Sequence, residues 1–144
     1  MTPTSKHPRW EFCLDTSPFA PTLFLLISLG GLLGTFARYG VQLTLQSRPG
    51  AFPWGTLTVN VFGSLVFGFL LRYLAQGDLS TIRLRIALTV GFCGAFTTMS
   101  SFSYDSLALL EAGRYAEGAA YLSLSIGGSL VAMAGGLLLA QSMR

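Results

Sequence analysis

The chain has 144 residues, 51% of them hydrophobic and only 10% charged, whereas about a quarter of a soluble domain is charged. The formal net charge of +3 is scattered over the ends of apolar segments, which leaves no basic patch for a nucleic acid. The single histidine, His7, lies in the N-terminal tail, so the apolar stretches have no imidazole for a metal or a catalytic proton.

Residues 1–18 form a polar tail with Pro3, Pro8, Pro18, Lys6, Arg9, Glu11 and Asp15. Two acidic residues between the basic ones and the apolar run from Phe19 weigh against a signal peptide. The tail reads as a poorly ordered cytoplasmic extension, and residues 19–144 as one membrane domain. Four uncharged stretches follow, at residues 16–37, 49–71, 86–104 and 118–143. Each meets the working length of about 18 apolar residues for a spanning helix. The expected fold is therefore all-α, with four transmembrane helices.

The first helix is expected over residues 21–45, with Pro21 in the first turn, where its missing N–H costs nothing. Gly30 and Gly34 make a small-xxx-small face for close helix approach. Residues 46–53 read as a loop. The second helix, residues 54–73, has Trp54 and Tyr73 as interface anchors and Asn60 near its middle. An amide there is either glue between helices or a pore group. Residues 75–85 read as a polar loop, and the third helix begins near Leu84.

That third segment holds Gly91-Phe92-Cys93-Gly94-Ala95-Phe96-Thr97-Thr98-Met99-Ser100-Ser101-Phe102-Ser103. Two glycines, two threonines and three serines fall where a spanning helix should be driest. Backbone left unpaired in hydrocarbon costs several kcal/mol per group. An opening is tolerated only where it faces protein or a water-filled path, and such openings can form ion sites. The alternative is a glycine-and-hydroxyl packing surface. Cys93 reads as a small buried residue, and Cys13 lies in the tail. Asp105 follows the broken region and reads as a helix-end residue. After a connection at residues 111–118, the fourth helix spans residues 119–141. Tyr121 and Ser125 share one of its faces, and Gly128, Ala132 and Gly136 make a second small-residue face. Two such faces exceed what one four-helix bundle needs, which points to a second copy.

Lys6, Arg9, Arg72, Arg83, Arg85 and Arg144 fall on one side of the four spans, against Arg38, Arg48 and Arg114 on the other. This favours a cytoplasmic N-terminus. No catalytic constellation is present: hydroxyls have no base to activate them, and an enzyme is not expected. A small proton-coupled multidrug exporter is the alternative. It needs a carboxylate inside the membrane, and Asp105 is the one candidate. What remains at depth is neutral: Asn60, Ser100, Ser101, Ser103, Tyr121 and Ser125, with Phe96 and Phe102 beside them. Neutral donors and the partly positive edges of aromatic rings suit an anion.

Three blocks carry a family resemblance. They are Gly30-Gly31-Leu32-Leu33-Gly34-Thr35-Phe36-Ala37-Arg38-Tyr39, then Gly55-Thr56-Leu57-Thr58-Val59-Asn60-Val61-Phe62-Gly63-Ser64, then the stretch from Gly91 to Ser103. In this order and spacing the chain resembles the CrcB/Fluc fluoride channels from about Leu29 onward. The resemblance implies a fluoride-selective channel of the bacterial inner membrane that lets fluoride leave the cytoplasm passively. It implies an antiparallel, dual-topology homodimer with two pores. It also implies a structural Na⁺ at the dimer centre, held by the main-chain oxygens of Gly94 and Thr97. Asn60, Phe102, Ser101, Tyr121 and Ser125 match the fluoride path, and Arg38 matches the vestibule. Met99 stands where the family has its first pore phenylalanine, and Ser101 where a threonine is usual. Methionine keeps an apolar, polarizable wall without a ring edge.

Overall fold

The computed structural model describes residues 21–45 and 50–143. The readings on the tail, His7, Cys13, Arg48 and Arg144 lie outside them. Helix α1 is Pro21–Leu45, α2 is Trp54–Tyr73 and α3 is Leu79–Ile86. A π-helical segment, Ala87–Cys93, continues α3 into α4, Gly94–Phe96. Helix α5 is Met99–Glu111 and α6 is Tyr115–Ser142. The pieces from Leu79 to Glu111 form one broken span, so four spans are long and apolar enough to cross a membrane. No strand occurs among the described residues.

Two boundaries differ from expectation. The third span starts at Leu79, inside the segment read as a loop. Asp78 caps it, accepting from the Thr81 N–H at 3.0 Å and the Thr81 hydroxyl at 2.8 Å. Those bonds, the backbone one foremost, hold the Asp78 carboxyl below the usual carboxylate range. Polar residues in this first turn masked the helix, although an Asp N-cap is a start signal in its own right. The fourth span starts at Tyr115 rather than Ala119, because the connection needs only a tight turn through Gly113, whose φ is +72°.

The small-residue faces act inside the chain. A Cβ on Gly30 would run into the Ala87 carbonyl, and one on Gly34 into the Phe92 carbonyl. From the other side, a Cβ on Gly91 would stand 2.6 Å from the Ile27 oxygen. Helix α1 therefore lies backbone to backbone against the π-helical segment. On α6, a Cβ on Gly136 would meet the Leu65 carbonyl of α2, and one on Gly128 would stand 3.2 Å from Val61. The glycines of both faces thus find partners within one subunit, so these faces give no argument for a second copy.

Leu57, Phe102, Leu109 and Tyr121 form a buried cluster between α2, α5 and α6. Large apolar side chains such as Leu33, Phe36, Leu130 and Val131 point outward, as expected of surfaces that face lipid rather than water.

Candidate functional site: a broken span between two hollows

The break is set by two residues. Thr97 has ψ 159° and Thr98 has φ −150° and ψ 114°, both extended. Thr98 caps the helix that follows: its hydroxyl oxygen accepts from the Ser101 N–H at 3.3 Å. Its backbone is held by Asn60 on α2. The Thr98 N–H donates to Asn60 Oδ1 at 2.8 Å, and Asn60 Nδ2 donates to the Thr98 carbonyl at 3.1 Å. One amide thus satisfies both polar groups of an opened peptide at membrane depth, where leaving them bare is costly. Asn60 acts as helix-to-helix glue here and also lines a hollow.

The same bonds release two carbonyls. In a continuous helix the Gly94 oxygen would accept from the N–H of Thr98, and the Thr97 oxygen from that of Ser101. Both N–H groups are engaged elsewhere. Arg38 of α1 reaches the Thr97 oxygen with Nη1 at a long 3.4 Å. A carbonyl oxygen has two lone pairs, so this contact leaves Thr97 a second site. Gly94 is exposed on the outer face of the chain.

Two hollows flank the break. One, of about 420 Å³, is lined by Asn60, Thr97, Met99, Phe102 and Ser125, with Ser64, Thr98 and Ser129 adding polar groups. No ionisable side chain lines it. The other, of about 560 Å³, is lined by Tyr39, Gln42, Leu43, Thr56, Ser100, Ser101, Tyr104 and Asp105. Most of the expected pore residues thus gather around the first hollow, while Ser101 belongs to the second.

Tyr121 is fully buried, packed against Phe102 with ring centroids 5.5 Å apart. Its hydroxyl donates to Asp105 Oδ2 at 3.4 Å. Asp105 is therefore not a helix-end residue. It sits inside α5, half-buried, at the wall of the larger hollow. Thr56 Oγ1 and Ser125 Oγ are buried and lie beside the same Tyr121 hydroxyl. Met99 is 72% exposed and Phe102 only 6%, so these two wall residues stand in different surroundings. Cys93 is buried.

Sequence reasoning passed over Thr98 and Thr56 as site residues. Thr98 carried a usable signal, a threonine three residues ahead of the serine whose N–H it caps. Thr56 carried none, because a threonine one helical turn from Asn60 is equally at home in packing.

The fold and site define a multi-pass helical membrane protein whose third span opens at mid-depth beside neutral hydrogen-bonding groups. The family described as "CrcB-like protein, Camphor Resistance (CrcB)" matches residues 25–137. The chain belongs to this family. It is 44% identical over 120 residues to the "Fluoride-specific ion channel FluC" of Rhizobium meliloti (strain 1021), covering 83% of this chain and 96% of that protein. A Thermus thermophilus protein of the same name is 44% identical over 122 residues, covering 75% of this chain and 97% of the relative. One from Bacteroides fragilis is 43% identical over 119 residues, covering 79% and 93%. These relatives are named as channels and none as an enzyme.

Proposed function

We propose that the chain is a fluoride channel of the bacterial inner membrane, through which fluoride leaves the cytoplasm down its electrochemical gradient. The observation that carries this reading is the smaller hollow. Its polar groups are neutral hydroxyls and one amide, and no ionisable side chain lines it. Such groups replace an anion's hydration in small steps without trapping it as a buried cation would. Conduction needs binding strong enough to enter and weak enough to leave. Phe102 adds a ring edge and Met99 a polarizable wall. Ser101 stands at the wider mouth, Tyr121 and Ser125 along α6, and Arg38 supplies positive charge near the break. The names of the relatives point the same way.

The chain works as an antiparallel homodimer in this reading. The support is the outer face of the break, where Gly94, Ser100 and Ser103 are exposed at a depth that lipid would leave without water. A second copy turned over in the membrane would cover them. Carbonyls of Gly94 and Thr97 from both copies would hold a structural Na⁺, since hard cations prefer oxygen ligands. The ion would fix the two breaks to each other. The released carbonyls fit that group, and among the described residues no side-chain cluster offers an alternative metal site. A high-resolution map of the purified protein tests both claims. Two copies in opposite orientation, with ion density among four carbonyl oxygens, are expected. Parallel copies, or a bare axis, would contradict the proposal.

Asp105 favours the exporter as a second reading, because it is a carboxylate at a hollow rather than at a helix end. Efflux from liposomes separates the two. A channel passes fluoride with no pH gradient, whereas an exporter moves cationic drugs in exchange for protons.

A further inference from the structure

Tyr121 owes part of its burial to a segment outside the helices. Residues 50–53 lead from a left-handed glycine, Gly50 with φ +77°, to the buried Pro53 at the start of α2. Within this strap Phe52 turns its ring edge-on to Tyr121, with centroids 5.7 Å apart and planes at 89°. Phe102 packs on the same tyrosine, so the Tyr121 ring has one aromatic neighbour from α5 and one from the strap.

The strap is tied down by one guanidinium from the turn between α5 and α6. Arg114 Nη1 donates to the Gly50 carbonyl. Its Nε and Nη2 form a fork onto the Glu117 carboxylate, with Nε to Oε1 at 2.8 Å. The pairing with Glu117 holds the guanidinium's pKa above its usual value. The turn carrying Arg114 is closed by backbone bonds from the N–H of Gly113 to Leu110 and from the N–H of Arg114 to Leu109, each 3.0 Å. This is a glycine-terminated helix end of the Schellman type, so the backbone of Arg114 is fixed where the side chain must start. Arginine suits the task because its planar fork can serve a carboxylate and a carbonyl at once, which a lysine ammonium on a flexible stem does less well.

We propose that Arg114 is a positioning residue for permeation. It ties the strap at Gly50 to the start of α6, seats Phe52 edge-on against Tyr121, and so holds the Tyr121 hydroxyl on Asp105. The proposal rests on the fluoride-channel reading. Arg114 is not among the residues that line either hollow, and it acts through Phe52.

The test is fluoride efflux per folded protein in liposomes, for the parent, Arg114→Ala, Phe52→Leu and the double variant, with melting and elution of each in detergent. Each single change is expected to slow efflux by about two- to fivefold, within the scale of one lost aromatic edge contact. The double variant is expected to be no slower than Phe52→Leu alone. If Arg114→Ala yields no folded protein, Glu117→Gln loosens the fork instead and must show the same dependence on Phe52. Parent-like efflux from Arg114→Ala overturns the proposal. So do losses that multiply in the double variant, or lower melting with efflux per folded protein unchanged. A parent that carries no fluoride sinks the channel reading itself, a result distinct from any pattern among the variants.

Discussion

Replacing Asn60 with aspartate is expected to abolish most fluoride flux while leaving much of the protein able to fold. The new carboxylate can still accept the Thr98 N–H, but it has no donor for the Thr98 carbonyl that Nδ2 now serves at 3.1 Å. If ionised, it sets a negative charge beside the path of an anion. Two like charges about 4 Å apart repel by about 4 kcal/mol at an effective dielectric near 20, so flux per folded protein should fall by about a hundredfold or more, on the order of 3 kcal/mol in the barrier. Phe102→Ile removes a ring edge from a residue buried against Tyr121, and a several-fold loss is expected. Met99→Leu changes an exposed side chain that has no ring, and should be milder still. Efflux and elution profile are measured together for each variant. If Asn60→Asp and Phe102→Ile both elute like the parent and both conduct like it, these residues do not belong to the path.

A loss of stability away from the fluoride path is expected at Gly136. An added Cβ there would overlap the Leu65 carbonyl and stand 2.7 Å from the Phe69 nitrogen. Both are backbone atoms of α2, so neither can swing away as a flexible side chain would. Helices α2 and α6 must separate, and overpacking of this kind costs about 1–3 kcal/mol. Gly127 on the same helix is the control, because a Cβ there meets nothing within 4 Å. Gly136→Ala should melt well below the parent in detergent, and Gly127→Ala at or above it, since alanine favours the helix. Equal melting of the two variants would show that the close approach of α2 and α6 is not what holds the subunit together.

The spans and the break were legible in the sequence for one physical reason. Hydrocarbon leaves few options for backbone, so apolar length and a run of glycines and hydroxyls carry much information. The start of α3 was less legible, because Leu79 to Arg85 is too polar to register as membrane and its evidence is a single capping aspartate. Residue type and position alone leave Asn60 as either glue or pore group, with only the resemblance pointing to the path, and its role in holding the break is hidden because its bonds to Thr98 join residues 38 positions apart. Asp105 was misplaced for the opposite reason. The uncharged stretch ends beside it, yet the helix runs on to Glu111, and charge alone does not end a helix. The small-residue faces were seen correctly as close-packing surfaces, but their partners lie in the same chain. Which surface meets which is a matter of topology, and residue spacing along one helix does not encode it.

The most direct measurement is anion efflux from liposomes that carry the purified parent chain, with internal fluoride or internal chloride and no pH gradient. The hollow beside the break is neutral and lined by small hydrogen-bonding groups, which suits an anion, and the fluoride-channel reading proposed above expects rapid loss of fluoride with chloride retained. Retention of both ions, or equal loss of both, would contradict the account.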